Sequence, residues 1–352
     1  MKNELLSENY NNNFCDFTKE DLEFLYNVIQ NLFIDYRYNL GLDKSLTFGV
    51  EIEYEGFYYG KTEKFLNKNL NNWESKVDNS LYFGGEVISP IMNDDKKFWL
   101  ELKTVCEYLK KHHVRVHYNA ACHVHIGASL LNNDPNLWIM FLKLYTCYEH
   151  ILYRFGYGEC INERKLLITY SKFIGKELCN SIIILQNAKK MKDFQQILDE
   201  EQSKYVGINF KHVAFDERIC NKFNTIEFRF PNGTKNEVIW QNNINVFAKM
   251  VLAIAENKIN PEFLDYKFKQ YQERKTSFES LSHLICIEDA LEFADLIFDN
   301  NLDKMYFLKQ YFKNFDYTLS KRHSLLSKKM IWTPFLGQKE MRFYYGKNEF
   351  RT

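Results

Sequence analysis

At residues 48–54 the chain reads Phe48-Gly49-Val50-Glu51-Ile52-Glu53-Tyr54, with apolar and acidic residues in strict alternation from Val50 onward. Successive side chains of a β-strand point to opposite faces of a sheet, so this pattern predicts a half-buried strand with Glu51 and Glu53 on one face. The acidic face of a single strand ordinarily meets water. A functional interpretation therefore needs other strands that add polar side chains to the same face.

Two later stretches repeat the alternation with side chains that bind metals or anions. They are His123-Val124-His125-Ile126-Gly127 and Thr225-Ile226-Glu227-Phe228-Arg229-Phe230. If the three strands share a sheet, their polar faces converge. Carboxylates held close together repel one another unless divalent cations lie between them, and glutamate oxygens with imidazole nitrogens are suitable ligands. The pattern thus predicts a cation site, with an arginine beside it that is suited to bind an anion.

The two histidines also fit a zinc site, with His117 or Cys122 as a further ligand. A closed structural zinc site needs four ligands at recognisable spacing, and the carboxylates elsewhere favour a harder cation. Zinc is therefore the minor alternative.

Composition limits the class of protein. The chain has 352 residues, of which 45% are hydrophobic and 16% aromatic, as expected of a globular protein with one large domain or two modest ones. Its 46 basic and 46 acidic residues balance, so no bulk attraction to nucleic acid or to an anionic membrane is expected. Without a secretory signal or an apolar run of 18 residues, the expected location is cytoplasmic. The eight cysteines form no C-x-x-C pair, which favours reduced thiols over disulfides or a zinc knuckle.

Periodicity, capping residues and turn residues predict the order of the elements. Helices are expected at 18–40, 62–70, 95–112, 135–154, 237–258, in pieces of 160–203 and almost throughout the chain after 261; strands are expected at 48–54, 73–78, 81–91, 114–118, 122–128, 205–215 and 223–231. The strands at 73–78 and 81–91 form a hairpin around Asn79-Ser80 that carries Asp78, Ser80 and Glu86. Glu86 does not alternate cleanly, so its orientation is left open. Boundaries near 45 and 260 divide the chain into an N-terminal helical segment (1–45), a domain that carries the predicted strands (46–260) and a helical extension (261–352).

The ordered set of motifs resembles one known family. The set comprises Phe48-Gly49-Val50-Glu51-Ile52-Glu53, Asp78-Asn79-Ser80-Leu81 with Gly85-Glu86-Val87-Ile88-Ser89-Pro90, Cys122-His123-Val124-His125-Ile126-Gly127 and Thr225-Ile226-Glu227-Phe228-Arg229-Phe230. Over roughly residues 46–258 it is similar to the amidoligase family, whose members are carboxylate-amine ligases of the glutamine synthetase fold. The resemblance implies an α+β fold, in which a curved antiparallel sheet of glutamine synthetase catalytic-domain type has helices on its convex face.

The resemblance also implies a ligand set. The concave face would hold two or three Mg²⁺ or Mn²⁺ ions that bridge the phosphates of ATP. Glu51 and Glu53 would bind different ions, with Glu86 joining one cluster and His123 and Glu227 the other. The remaining roles would be these: His125 contacts nucleotide phosphate, Arg229 steadies the transferred phosphoryl group or the substrate carboxylate, Asp78 is catalytic, and Ser80 and Asn209 lie near the cofactor or substrate. Asp78 and Ser80 are explained nearly as well by ordinary turn chemistry. Asn209 is explained nearly as well as a polar residue at an exposed strand position.

The implied activity is ATP-dependent formation of an amide or isopeptide bond, through an acyl phosphate, on a small-molecule, amino-acid or peptide substrate. Two alternatives remain: a phosphotransferase related to the guanidino kinases, which share the sheet architecture, and a non-catalytic module that binds Mg-nucleotide. Partners are expected to be the carboxylate and amine substrates rather than nucleic acid or membrane. The helices after residue 261 are candidates for a lid or an oligomer surface.

Overall fold

The computed structural model describes residues 24–25, 27–29, 31–116, 119–131, 134–158, 170–187, 190–201, 205–215, 223–274 and 286–312. Its centre is a six-stranded open sheet in the order β2-β3-β1-β4-β6-β5, in which every neighbouring pair is antiparallel. The strands are β1 (Phe48–Tyr54), β2 (Glu74–Lys76), β3 (Gly85–Ile88), β4 (Cys122–Gly127), β5 (Ile208–Asn209) and β6 (Thr225–Phe228). The predicted combination of helices with an antiparallel sheet is confirmed.

The described residues also form helices. They are α1 (Tyr59–Asn69), α2 (Lys96–Lys111), α3 (Pro135–Gly156), α4 (Gly175–Leu185), α5 (Met191–Glu201), α6 (Glu237–Ala255), α7 (Pro261–Glu273), α8 (Ile287–Ile297) and α9 (Asn301–Tyr311). Several begin where the side chain of an Asp or Asn accepts a hydrogen bond from an early amide of the helix: Asp95 for α2, Asp134 for α3, Asn236 for α6, Asn260 for α7 and Asn300 for α9. Such caps satisfy amides that have no partner within the helix.

One face of the sheet is apolar and packs on helices. The Phe48 ring of β1 stacks on Trp99 of α2, with ring centroids 5.2 Å apart, and Phe228 of β6 stacks on Phe247 of α6 at 4.1 Å. The inward-facing Val50, Ile52 and Val124 have 0–1% of their surface exposed. Because strand side chains alternate, burying this face turns the acidic and imidazole side chains to the other one.

The C-terminal helices pack against the rest of the protein through buried polar contacts. His150 Nε2 of α3 lies 2.8 Å from Asp289 Oδ2 of α8. Gln310 of α9 donates a hydrogen bond to Asn243 Oδ1 of α6 at 2.9 Å. The proposed division at residue 260 stays a prediction.

The N-terminal helix is shorter than predicted. Residues 18–23 lie outside the described part of the chain, and from residue 32 to 40 the backbone is not helical. Its amides are bound instead by distant side chains: Asp35 N–H donates to the Tyr306 hydroxyl at 3.0 Å, and Arg37 N–H donates to Gln241 Oε1 at 2.8 Å. Tertiary hydrogen bonds therefore replaced the helical ones, and the prediction of helix over 32–40 was wrong.

Several predicted strands are shorter in the structure. The 81–91 strand is reduced to β3 because residues 81–84 belong to the loop before it, and the 205–215 strand is reduced to β5 because Asn209 Oδ1 accepts the Lys211 amide in a turn at 2.8 Å. Likewise 73–78 and 223–231 shorten to β2 and β6. Of residues 114–118, only 114–116 are described, and they form a single bridge between Arg115 and Glu55.

No helix within the described ranges is both long enough and apolar enough to cross a membrane.

Candidate functional site

The register of the strands gathers the predicted polar residues on one face. Glu51 of β1 lies opposite His123 of β4. His125 of β4 lies opposite Glu227 of β6. Residues directly opposite in neighbouring antiparallel strands carry side chains on the same face with Cβ atoms about 5 Å apart. Residues that are distant in the chain therefore become neighbours.

The first group consists of Glu51, His125 and Glu227. One ligand atom from each lies within 4.8 Å of the other two, which is close enough for a single metal ion. His125 Nε2 is 3.3 Å from Glu51 Oε1. The resemblance assigned His125 to phosphate, and its position beside two carboxylates is also suitable for a metal ligand.

The second group consists of Glu53, Asp78 and Glu86, whose ligand oxygens also lie within 4.8 Å of one another. Glu86 of β3 is directly opposite Glu53 of β1, whereas the next residue, Val87, is opposite Ile52 and is buried. This register resolves the orientation of Glu86 that the sequence left open. Asp78 comes from the loop between β2 and β3.

His123 lies between the two groups and contacts both. Its Nδ1 is 2.9 Å from Glu51 Oε2 and 3.8 Å from Glu227 Oε1, while its Nε2 is 3.5 Å from Glu53 Oε1. The imidazole is buried, with 5% of the residue exposed. The five predicted metal ligands, Glu51, Glu53, Glu86, His123 and Glu227, thus form one continuous cluster with two centres.

The cluster concentrates negative charge. Burial, followed by the charges of Glu51, Asp78 and Glu53, raises the pKa of Glu86 to about 7. Burial opposes ionisation of Glu51 and of His123 as well, but the contacts between them outweigh it: the histidines lower the pKa of Glu51, and Glu53 with Glu51 raises the pKa of His123. A carboxylate that resists ionisation among other carboxylates fits a divalent cation, which would stabilise all of them in the charged form.

Arg229 is held at the edge of the first group. Its Nη1 donates a hydrogen bond to Glu227 Oε1. Its backbone is fixed on both sides, because Arg229 N–H donates to the Gly207 carbonyl at 2.7 Å and the Ser171 hydroxyl donates to the Arg229 carbonyl at 2.9 Å. A guanidinium at this place can bind a phosphate or carboxylate oxygen near a metal bound at Glu227.

A cavity of about 260 Å³ opens beside the first group, and its wall includes Glu51 and His125. Gly49 forms part of its lining, with apolar side chains such as Ile88 and Phe223 and the hydroxyl-bearing Thr225. Because Gly49 lies opposite His125 in the sheet and has no side chain, the space in front of it stays open. The cavity adds an apolar compartment to a charged cluster, as ligand sites commonly do.

Other predicted residues lie less centrally. Ser80 is exposed, and its N–H donates to Asp78 Oδ1 at 2.7 Å, which is the turn chemistry that the sequence also allowed. Asn209 is buried opposite Glu227, not exposed, but its Oδ1 is engaged in its own turn. Cys122 is buried opposite Ile52, on the apolar face, so it does not join the histidines and the zinc alternative loses this ligand; His117 lies outside the described residues.

Sequence reasoning overlooked Glu55, which continues the alternation of Glu51 and Glu53 by one more step. It is buried, with 5% exposed, and its Oε1 accepts hydrogen bonds from Tyr82 N–H and Asn119 Nδ2. Reasoning also overlooked Gly49 and Thr225 of the cavity. Glu55 could have been found from the sequence, because it is the third acidic residue in the alternating series. Gly49 and Thr225 could not, because periodicity gives no information about a cavity.

Comparison with known families identifies a match. The profile of the family described as "Putative amidoligase enzyme" matches residues 64–251, more than half of the chain. The match includes Glu86, both histidines of β4, Glu227 and Arg229; Glu51 and Glu53 precede it, on a strand that pairs with two strands inside it. Comparison with curated proteins gives no match.

Proposed function

The chain belongs to the amidoligase family, and on this premise we propose that it is an ATP-dependent ligase that joins a carboxylate to an amine. The carboxylate substrate is a small molecule, an amino acid or a peptide, and the product is an amide or an isopeptide. We also propose that the six-stranded sheet is of the glutamine synthetase catalytic-domain type.

The proposed reaction has two steps. First, a carboxylate oxygen attacks the γ-phosphorus of ATP, the bond between that phosphorus and the β,γ-bridging oxygen breaks, and ADP leaves with the acyl phosphate formed. Second, the amine attacks the acyl carbon, the carbon–oxygen bond to phosphate breaks, and the amine loses a proton. Activation is needed because a free carboxylate is a poor electrophile.

The site residues divide this work. The carboxylates of the two groups, with His123, would hold Mg²⁺ or Mn²⁺, which neutralises the charge that develops during phosphoryl transfer. His125 and Arg229 would contact phosphate oxygens, and Arg229 is also suited to the substrate carboxylate. The cavity in front of Gly49 would take the nucleoside, because it adjoins the first group and offers apolar walls. Ser80 and Asn209 stay candidates for peripheral contacts.

One observation carries the proposal. Glu51, His125 and Glu227 form one group of side chains that could hold a cation, and Glu53, Asp78 and Glu86 form a second group beside it. Two cation centres with an arginine beside them are the elements that phosphoryl transfer to a carboxylate requires.

Hydroxylamine provides the decisive test, since it attacks any acyl phosphate and needs no specific amine site. Purified protein with Mg-ATP and a panel of amino acids and dicarboxylates should release ADP and form a hydroxamate. The matched variant Glu227→Gln should do neither, while Glu107→Gln, at an exposed position on α2, should behave as wild type. A stable phosphorylated product without hydroxamate would favour the phosphotransferase instead. Tight Mg-ATP binding without turnover of any carboxylate would favour a binding module.

A further inference from the structure

Glu55 touches two loops beside the second ligand group, of which one carries Asp78 and the other donates a hydrogen bond to Glu53. The first contact is to the loop between β2 and β3, where Glu55 Oε1 accepts the Tyr82 amide at 2.9 Å. The adjacent Gly56 N–H donates to the Tyr82 carbonyl at 3.2 Å. Tyr82 is therefore bound through both its amide and its carbonyl to the chain just after β1.

Asp78 lies four residues before Tyr82 in the same loop, so fixing Tyr82 also restricts the position of Asp78. Leu81 N–H donates to the Asp78 carbonyl at 3.2 Å, and Ser80 N–H donates to Asp78 Oδ1 at 2.7 Å, so residues 78–81 form one hydrogen-bonded turn that Tyr82 follows directly. The loop then returns close to β1: a Cβ on Gly84 would collide with the Tyr54 carbonyl oxygen, so a side chain there is excluded. The position of the Asp78 carboxylate therefore depends on the contacts that hold this loop against the end of β1.

The second contact is to the turn before β4. Asn119 Nδ2 donates to Glu55 Oε1 at 3.2 Å. Two residues later, Ala121 N–H donates to Glu53 Oε2 at 2.7 Å. Glu55 thus joins the loop that carries Asp78 to the turn that orients the Glu53 carboxylate.

We infer that Glu55 is a positioning residue, which holds Asp78 in reach of Glu53 and Glu86 so that the three form one cation site. The inference rests on the proposed function, because that function requires two cation sites. Glu55 itself belongs to neither ligand group of the described residues, and its Oε1 accepts hydrogen bonds from the two loops. Groups that orient metal ligands without touching the metal commonly change metal affinity by about 10- to 100-fold when removed.

The test measures Mn²⁺ binding to full-length protein by calorimetry and by electron paramagnetic resonance, with no substrate present. Wild type should bind Mn²⁺ at two sites, which Glu227→Gln and Glu86→Gln assign separately. Glu55→Ala should weaken the Glu86-dependent site by about 10-fold or more and change the Glu227-dependent site by less than about 2-fold. Glu55→Gln, which keeps an oxygen acceptor for the Tyr82 amide, should restore most of the affinity. Glu107→Ala, on α2, is the control for loss of a carboxylate.

A double variant separates positioning through Asp78 from a general effect on folding. In an Asp78→Ala background, the further substitution Glu55→Ala should weaken Mn²⁺ binding much less than it does in wild type, because the residue it positions is absent. Any of four results would overturn the inference. Glu55→Ala could weaken Mn²⁺ binding equally at both sites, or leave it unchanged; the effects of Glu55→Ala and Asp78→Ala on affinity could be fully additive; or wild type could bind Mn²⁺ at a single site. Two intact Mn²⁺ sites without hydroxamate formation would overturn only the proposed function.

Discussion

Glu149 on α3 gives the stability of the protein a specific dependence on pH. Its carboxylate is buried and accepts hydrogen bonds from the amides of Ile174 and Gly175, at 2.8 and 2.9 Å, where α4 begins. Burial outweighs these bonds and raises the pKa of Glu149 from 4.5 to about 7. At about 1.4 kcal/mol for each tenfold change in proton affinity, the difference corresponds to about 3 kcal/mol.

The sign follows from proton binding. The folded state holds the proton of Glu149 more tightly than the unfolded state, so this group stabilises the fold below pH 4.5, and its contribution is lost as the pH rises through about 7. Glu149→Gln cannot ionise. We therefore expect the free energy of unfolding of wild type, relative to Glu149→Gln, to fall by about 3 kcal/mol between pH 4.5 and 7.5 and then to stay constant.

The assay is urea unfolding at pH 5, 6, 7 and 8, in conditions where the fluorescence and circular-dichroism transitions coincide. Glu107→Gln is the control, because Glu107 is exposed on α2, and its profile should parallel that of wild type. Parallel profiles for wild type and Glu149→Gln would refute the reasoning. A difference of opposite sign would mean that the two amides, rather than burial, dominate at Glu149.

Three further outcomes follow from the site and its frame. Glu227→Gln should lower the rate of ADP release by about 100-fold or more, as loss of one preorganised electrostatic contact does, without lowering the melting temperature; wild-type rates would remove Glu227 from the site. Gly49→Ala should fold normally, because the new Cβ would meet its nearest neighbour at 3.5 Å, yet weaken Mg-nucleotide binding by reducing the cavity, and unchanged calorimetric affinity would place the nucleotide elsewhere. Arg37→Ala should lower the free energy of unfolding in urea by about 3 kcal/mol, because it removes the guanidinium that lies 2.7 Å from the buried Asp303 carboxylate. Lys97→Ala, at an exposed position, should lower it by less than about 0.5 kcal/mol. Similar losses in the two variants would contradict this reasoning.

The sequence predicted the paired strands and most of the cluster for one physical reason. Alternation with a period of two decides the face on which a side chain lies, and it requires no knowledge of the partner strand. Glu51, His123, His125 and Glu227 could therefore be placed on one face in advance, and the structure brings them together. The amphipathic helix α2 was also predictable from its apolar stripe.

Features that depend on contacts between distant segments could not be predicted. Glu86 needed the register of β3 against β1, and the cavity needed the absence of a side chain at Gly49 together with walls from several strands and loops. The extended course of residues 32–40 depends on hydrogen-bond partners more than 200 positions away, at Gln241 and Tyr306. No local pattern carries such information, because the competing interactions lie elsewhere in the chain.

The antiparallel register has a consequence for how this protein tolerates change. A shift of β4 by one residue relative to β1 and β6 would exchange the two faces of the strand. His123 and His125 would then point into the hydrophobic core, and Val124 would point to the polar face of the sheet. Deletion or insertion of a single codon within β1, β4 or β6 should thus abolish the site and the core together, whereas substitutions that preserve polarity leave the frame intact. The spacing of the chain in these strands is under tighter constraint than the identity of most of their residues.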